Sequence, residues 1–281
     1  AVSFARDRVQ GRAIEGSPAP VAIIQHPDVR RMLMDMRSRT EAARGLAYWV
    51  AGRTDIATRH PDAAERQRNQ ALVDLLIPIV KGWCTETGNA LAYTGVQVHG
   101  GMGFVEETGA AQFMRDARIT TIYEGTTGIQ ANDLIGRKIA RDGGETIRLL
   151  LTAMAATEAE LAKHDNADLR AICKSLKAGV AALKAATNYI VANYTADVRA
   201  VAVGAVPFLH LLGTVAGGWV MARSALVAQT KIAAGQTDPF YAAKITTARY
   251  FADHSLVAAP GLALEVTEGG ASGLALADEL F

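Results

Sequence analysis

The chain has 281 residues, 50% of them hydrophobic, which is enough for one large domain or two ordinary ones with a sizeable core. Its 29 basic and 28 acidic residues leave a formal charge of +1, so no overall field favours a nucleic acid or an anionic membrane surface. The cysteines Cys84 and Cys173 lie far apart within helical patterns, which predicts reduced thiols in a reducing compartment and argues against a disulfide or metal framework.

The first residues lack the features of a protein start. Ala1 is not a methionine, no basic-then-apolar signal pattern follows it, and residues 1–6 have the character of the middle of a helix. We therefore expect this chain to be a piece of a longer protein.

Helical periodicity dominates the first hundred residues. Apolar positions from Val29 to Val50 fall on one face of a helix, and a proline at Pro27 precedes it. A second helix is predicted from Pro61 and Asp62 toward His99, with a kink or break at Pro78. The glycine-rich stretch that follows, Gln97 to Phe104, predicts a loop whose backbone lets a phosphate or a flat cofactor approach closely, although such a sequence is more often a helix end plus a turn.

The stretch from Tyr123 to Thr126 carries the strongest candidate for chemistry. A short helix is predicted through Met114–Asp116, and the β-branched run Ile119–Ile122 then favours a strand-like segment before a helix that runs to about Lys138. Glu124 is the only acid between Thr120 and Ile129, and burial there would suit it to proton abstraction. A glutamate in such a place is otherwise a partner of the helix dipole or a cap.

The second half of the chain reads as an alanine-rich antiparallel bundle after a boundary at Arg141–Gly144. Four helices are predicted over residues 145–163, 168–194, 197–234 and 238–259, capped at Asp168, Asp197 and Asp238, with a partly loose tail from Gly261. The predicted fold is all-α with domains over residues 1–142 and 143–281. No acid–base cluster, metal-ligand spacing or phosphate loop is evident in the second domain.

The apolar stretch from Ala200 to Ala222 approaches membrane-spanning length and is flanked by Arg199 and Arg223. It contains Pro207 and several glycines, and one isolated stretch without aromatic belts favours the central helix of a bundle. We expect no membrane span.

Several motifs in this order resemble the C-terminal helical domain of the acyl-CoA dehydrogenase family. They are Arg6-Asp7-Arg8-Val9-Gln10, Gln97-Val98-His99-Gly100-Gly101-Met102-Gly103-Phe104, Met114-Arg115-Asp116-Ala117-Arg118-Ile119 and Ile122-Tyr123-Glu124-Gly125-Thr126. The continuation from Thr127 to Lys138 and the bundle with Gly217-Gly218-Trp219 resemble a longer subgroup with an extra C-terminal helical domain, which includes 3-methylmercaptopropionyl-CoA dehydrogenases.

The resemblance implies an FAD-dependent enzyme that oxidises an acyl-CoA thioester to its trans-2-enoyl product. Glu124 would be the catalytic base and flavin N5 the hydride acceptor, with Tyr123, Glu124 and Gly125 at the substrate. The backbone N–H of Glu124 would hold the thioester carbonyl together with a flavin hydroxyl. The implied partners are an electron-transfer flavoprotein and further copies of the chain as a homodimer or higher oligomer, with no nucleic acid. The implied location is the cytoplasm of a bacterium, or the mitochondrial matrix of a eukaryote.

The resemblance also assigns cofactor contacts. Arg8 would bind the FAD pyrophosphate, a role that suits a guanidinium group. Gln97, Gly100 and Gly101 would meet the FAD of a neighbouring subunit, with His99 at the helix end beside them. Thr126 would contact the phosphate on the adenine side, and Gly128 would contribute a backbone contact.

The chain departs from the family pattern at three positions. Gly11 stands where many members have an aromatic residue near the flavin, so it has no ring for that stacking contact. Gly128 and Pro27 replace common glutamines. The family's N-terminal helical domain and middle β-domain are not encoded in this chain, so we expect it to be inactive alone.

Alternative functions remain open at this stage. An acyl-CoA oxidase would use oxygen in place of the electron-transfer flavoprotein, and nothing in this part of the chain excludes it. A DNA-binding relative of the alkylation-response branch would need a basic face, whereas Lys174, Lys177 and Lys184 are mixed with acids. A helical scaffold with a decayed site is the third alternative.

Overall fold

The computed structural model describes residues 1–281, and the predicted all-α class is confirmed. The only strand-type pairing is an isolated antiparallel bridge between Val9 and Ala22. The helices of the first half are α1 (Val2–Asp7), α2 (Pro27–Arg59), α3 (Ala63–His99), α4 (Gly101–Phe104), α5 (Ala110–Arg118) and α6 (Thr127–Asp133). Those of the second half are α7 (Glu145–Leu161), α8 (Ala167–Asn193), α9 (Val198–Val203), α10 (Ala205–Ala233), α11 (Pro239–His254), α12 (Ala259–Glu268) and α13 (Gly270–Gly273).

The two longest helices, α2 and α3, form an antiparallel pair connected by a short turn at His60–Asp62. Asp62 caps α3 because its carboxylate accepts a hydrogen bond from the backbone N–H of Ala64 at 2.9 Å. A break at Pro78 does not occur, and α3 continues to His99. Proline lacks the N–H of one helical bond, but Leu76 and Ile79 on either side are fully buried, so packing holds the helix across that position.

Helix α10 is the centre of the bundle, as the apolar stretch predicts. By length and composition it could cross a membrane, and 78% of its most apolar 18-residue stretch is buried within the protein. It packs against α2, α3, α8, α11 and α12, so its apolar surface is covered by the other helices. The predicted helix over residues 197–234 is interrupted at Gly204, where α9 ends and α10 begins.

The contact between α3 and α10 depends on small residues facing a large one. The indole of Trp83 lies on Gly213 and Gly217, one turn apart on α10, and a Cβ on Gly213 would lie only 2.2 Å from Trp83 Cγ. In the reverse direction Leu209 of α10 lies over Gly82, where a Cβ would be 2.7 Å from its Cδ1. The side chains therefore interlock and fix both the spacing and the register of the two helices.

The ends of the second-half helices differ in part from the predictions. Asp197 and Asp238 cap α9 and α11 as expected, by accepting hydrogen bonds from Ala200 N and Phe240 N. Asn166 caps α8 in place of Asp168, since its side-chain oxygen accepts from the N–H groups of Asp168 and Leu169. In the tail from Gly261, Ala263 and Val266 of α12 are buried in the bundle, whereas residues 271–281 are all exposed.

One hydrophobic core of 44 buried residues crosses the turn at Arg141–Gly144 and joins both halves of the chain. At that turn Gly143 and Gly144 both have positive φ, and Asp142 accepts hydrogen bonds from the N–H groups of Gly144 and Thr146. The chain therefore changes direction there while the packing continues across it. The domain boundary at residues 142 and 143 stays a prediction from sequence.

Substitution of Gly213 by alanine tests the interlock. The added methyl group would overlap Trp83, so we expect the free energy of unfolding to fall by about 1–3 kcal/mol. The control is Gly52→Ala, in the middle of α2 with open space around it, where alanine should raise the free energy of unfolding by about 0.5–1 kcal/mol. Urea unfolding of the two variants measures both effects, and equal stabilities would contradict the interlock.

Candidate functional site

The segment before Glu124 is helical, so the predicted strand-like run is wrong. Ile119–Thr121 forms a 3₁₀ turn that directly extends α5, and the chain then opens into a short loop over residues 122–126. The β-branched side chains have no neighbouring strand to pair with, and the local hydrogen bonds of the helix end decide the conformation. Glu124 therefore lies between two helices, α5 with its 3₁₀ extension and α6.

The backbone of Glu124 adopts a left-handed conformation with φ of 54°, and it is the only residue other than glycine with positive φ. Its side chain is exposed in this chain, contrary to the expected burial. Gly125 also has positive φ, at 85°, and a Cβ there would lie 3.0 Å from Gln130 Nε2. Strain of this kind persists only where the surroundings determine the conformation, and it is frequent at functional sites.

Lys81 of α3 provides the strongest hold on this loop. Its ammonium group donates hydrogen bonds to the carbonyl of Thr120 at 3.0 Å and to the carbonyl of Gly125 at 2.7 Å. The same Nζ lies 5.9 Å from the centre of the Tyr123 ring. Lys81 makes no ion pair with a carboxylate, and both hydrogen bonds of its ammonium group go to backbone carbonyls on the two sides of Glu124.

Other side chains of α3 hold the two flanks of the loop. Asn89 donates to the carbonyl of Ala117 at 2.9 Å, at the end of α5. Glu86 accepts a 2.5 Å hydrogen bond from the hydroxyl of Thr127, the first residue of α6. These contacts satisfy backbone and hydroxyl groups that a helix end leaves without partners.

Two further contacts lie within the loop and the start of α6. Thr126 caps α6 by accepting a hydrogen bond from Ile129 N at 3.3 Å. Gln130 Nε2 donates to the carbonyl of Glu124 at 3.2 Å. The loop is thus held by its own helix as well as by α3. Gly128 lies in the first turn of α6, where a side chain would meet only ordinary contacts.

Lys81, Glu86, Asn89 and Gln130 were not identified from the sequence. The available signal was weak: Lys81, Thr85 and Asn89 repeat every four residues, which places polar groups on one face of a helix that is otherwise largely apolar. Such a stripe is also expected of a solvated face. Only the folded chain shows that the residues 117–127 cover it.

The predicted glycine loop lies at the far end of α3 from Lys81. Gly100 ends the helix with φ of 58°, and four residues of α4 follow. Gln97 is sixteen residues beyond Lys81, so the two lie roughly 24 Å apart along the helix axis. Within one chain the structure therefore separates Gln97, Gly100 and Gly101 from Glu124, which Lys81 holds.

Arg8 lies near the glycine loop, because α1 packs on the end of α3. Ala5 and Val98 share a small buried cluster, and the ring of Phe4 lies 4.6 Å from that of His99. His99 Nδ1 is 2.7 Å from the carbonyl of Gly95, so this side chain is engaged in packing and in a helix hydrogen bond. The Arg8 side chain is exposed, and its only hydrogen-bond partner is the side-chain oxygen of Gln10, at 3.4 Å.

Arg115 forms an ion pair with Glu106, nine residues earlier in the chain. It makes two hydrogen bonds to the Glu106 carboxylate, at 2.9 and 2.7 Å, and none to its neighbour Asp116. Adjacent residues of a helix point in directions about 100° apart, so neighbouring charges do not meet. This ion pair steadies the turn after α4, away from Glu124.

An exposed apolar face extends from the glycine loop along α5 toward Glu124. Phe104 and Phe113 are 82% and 77% exposed. The other large apolar residues of this face are Met102, Val105, Met114, Ile119 and Ile122. Exposed apolar surface of this extent is typical of interaction surfaces and of ligand grooves.

The remaining reactive groups do not form a second centre. No group of three or more histidine, cysteine or acidic side chains could hold a metal ion. Both thiols are free, and burial raises the pKa of Cys84 to about 12. Burial also raises the pKa of Cys173, so both side chains are neutral near pH 7.

Two family models match the chain in succession. Residues 1–140 match "Acyl-CoA dehydrogenase, C-terminal domain", and residues 150–277 match "Acetyl-CoA dehydrogenase C-terminal like". The 3-methylmercaptopropionyl-CoA dehydrogenase of Ruegeria pomeroyi is 48% identical over 97% of this chain and 46% of its own length. The broad-specificity linear acyl-CoA dehydrogenase of Mycobacterium tuberculosis is 34% identical over 91% of this chain and 44% of its own length. The chain thus spans about half the length of these relatives.

The fold is also that of a solved structure. An acyl-CoA dehydrogenase of Bacillus anthracis, complexed with FAD, superposes on 99% of this chain and 46% of its own with a TM-score of 0.70. The sequence identity is 17%, so this likeness concerns the fold alone.

The left-handed backbone of Glu124 leads to a prediction about stability. Asparagine tolerates this conformation and valine does not, so Glu124→Asn should raise the free energy of unfolding by about 0.5 kcal/mol and Glu124→Val should lower it by about 1 kcal/mol. Glu124→Gln, which keeps the size and the backbone strain, is the control, and its free energy of unfolding should change little. Urea unfolding measures the free energies of the variants. A valine variant as stable as the asparagine variant would show that the backbone at this position is not strained.

Proposed function

Because this chain belongs to the acyl-CoA dehydrogenase family, we propose that it provides the catalytic base of an FAD-dependent enzyme that dehydrogenates an acyl-CoA thioester. The observation that carries the proposal is Glu124: an exposed carboxylate on a strained loop that hydrogen bonds hold at both ends. Because such a loop is both strained and fixed, the side chain of Glu124 leaves the backbone in one defined direction.

The proposed reaction forms a double bond between the α and β carbons of the acyl chain. Glu124 takes the α-proton, and its carboxylate becomes a carboxylic acid. FAD, when bound, accepts the β-hydrogen together with the electron pair of its bond. The backbone N–H of Glu124 donates to the thioester oxygen, which stabilises the negative charge that develops there as the proton leaves. Tyr123 and Gly125 flank the base and line the substrate.

The residues proposed for FAD have free polar groups that fit such a cofactor. The Arg8 guanidinium has no carboxylate partner, so its N–H groups can donate to a pyrophosphate. A Cβ on Gly100 or Gly101 would meet nothing within 4 Å, so the backbone there is open to a flat or phosphorylated group. The Thr126 hydroxyl caps α6 through its oxygen and keeps its proton available for a phosphate.

We further propose that the enzyme is a homodimer or a higher homo-oligomer. The separation of roughly 24 Å between Gln97 and the level of Lys81 supports a glycine loop that serves the flavin of a neighbouring copy. The exposed apolar face beside that loop supports the same arrangement, because contact between copies would remove Phe104 and Phe113 from water.

The proposed substrate is an acyl-CoA thioester, the class that the names of the relatives share. An electron-transfer flavoprotein is the proposed electron acceptor. The proposed location is the cytoplasm of a bacterium, or the mitochondrial matrix of a eukaryote.

Substitution of the base tests the proposed reaction directly. In the flavin-loaded intact protein, Glu124→Gln should lower kcat by at least about 100-fold, because an amide cannot take the α-proton, while flavin content stays unchanged. The control is Glu107→Gln, which removes an exposed acid of the same chain away from the loop. Turnover of acyl-CoA with an artificial electron acceptor measures both. A Glu124→Gln enzyme that turns over at the normal rate would show that the base lies elsewhere.

Substitution of Arg8 tests the cofactor contact. Arg8→Gln should weaken FAD binding by about 10- to 100-fold, since a charge-assisted hydrogen bond to phosphate is lost. Arg6→Gln, an exposed arginine on α1, is the control and should bind normally. Titration of the apoprotein with FAD, followed by flavin fluorescence, measures the affinity, and an unchanged value for Arg8→Gln would remove this residue from the site.

A further inference from the structure

We infer that Lys81 is a positioning residue for the base. Its ammonium group donates hydrogen bonds to carbonyls on both sides of Glu124, an arrangement called the strap below, and so fixes the position of the carboxylate. This inference rests on the proposed function of Glu124. It adds a residue on another helix, forty-three positions away in the chain, whose task is to hold the base in place.

The hydrogen bonds of Lys81 span Glu124. The carbonyl of Thr120 belongs to the 3₁₀ turn before the loop, and the carbonyl of Gly125 immediately follows the base, at 3.0 and 2.7 Å from Nζ. One cation therefore joins the two sides of a loop of only four intervening residues.

The location of the charge also fits a strap. The 3₁₀ turn continues α5, so the carbonyl of Thr120 lies at the C-terminal, negative end of a helical segment, where a cation is favoured. Lys81 is partly buried and takes part in none of the ion pairs of the protein. A partly buried ammonium group without a carboxylate partner depends on those carbonyls for its stabilisation. The lysine and the loop conformation are therefore coupled.

The strain at Glu124 explains why such a strap is needed. A residue with φ of 54° tends to relax to a right-handed or extended conformation, and relaxation would move the carboxylate. The single hydrogen bond from Gln130 to the carbonyl of Glu124, at 3.2 Å, acts on one side only. A base displaced by about 1 Å can lose about 100-fold in rate, so a fixed loop has a direct effect on turnover.

The alternative is that Lys81 serves only the stability of the fold. Its neighbours on α3 argue for a local role. Gly82 and Trp83 make the interlock with α10, whereas the hydrogen bonds of the Lys81 ammonium group both go to carbonyls beside Glu124. Removing the ammonium group should therefore loosen residues 120–125 and leave the bundle intact.

The first test uses Lys81→Met, which keeps the aliphatic length of the side chain. In the flavin-loaded intact protein we expect kcat to fall by about 10- to 100-fold, with flavin content and KM for the acyl-CoA almost unchanged. The isotope effect with an α-deuterated acyl-CoA should increase, because proton removal becomes slower. The control is Lys174→Met, an exposed lysine on α8, which should match the unaltered enzyme in all these measurements.

The second test restores the charge. Lys81→Cys, alkylated with 2-bromoethylamine, regains an ammonium group on a side chain of almost the same length. Burial raises the pKa of both native thiols, that of Cys84 to about 12, which slows their alkylation. We expect alkylation to recover most of the lost kcat, and the alkylated unaltered enzyme is the control.

The third test does not depend on activity. Hydrogen–deuterium exchange of the chain should show backbone amides of residues 120–126 exchanging about 10-fold faster in Lys81→Met, with α8 and α10 unchanged. The inference is overturned if Lys81→Met keeps kcat within about twofold, or if it loses flavin and protection throughout the bundle without recovery on alkylation. If Glu124→Gln is fully active, the proposed function fails, and the exchange result still reports on the strap.

Discussion

The structure depends on how α3 meets α10. Trp83 occupies the space that Gly213 and Gly217 leave on α10, and Leu209 occupies the space over Gly82, so neither helix can slide or rotate without overlap. This interlock is one of the places where the first half of the chain joins the central helix of the second, beside the contact of Gly45 on α2 with Val220 on α10. It fixes α3, and α3 in turn carries the side chains that hold the loop with Glu124.

The loop itself is mostly exposed and is held by hydrogen bonds from α3. Lys81 bonds to carbonyls on both sides of Glu124, and Asn89 and Glu86 bond to the helix ends that flank the loop. The strained backbone of Glu124 is stable in this setting because its neighbours are fixed on both sides. A long helix anchored in the core thus fixes the conformation of an exposed loop through hydrogen bonds.

The same helix separates two parts of the proposed site. Its middle holds the base, and its end carries Gly100 beside Arg8 and the exposed apolar face. An arrangement in which one chain offers a base at one place and a cofactor loop at another is suited to copies that complete each other. The all-α architecture makes this simple, since the length of one helix sets the distance between the two functions.

The sequence by itself determined the helical class, most helix positions and the buried character of α10, because periodicity and capping residues are local signals. Short motifs, which are also local, identified the candidate base. The tertiary structure alone decided that Ile119–Thr121 is helical, that α3 passes through Pro78, that Arg115 pairs with Glu106, and that Lys81 holds the loop. In each of these cases the partner lies elsewhere in the chain or the surrounding packing outweighs the local preference. A hydrogen bond across forty-four residues leaves no trace in the periodicity of either segment.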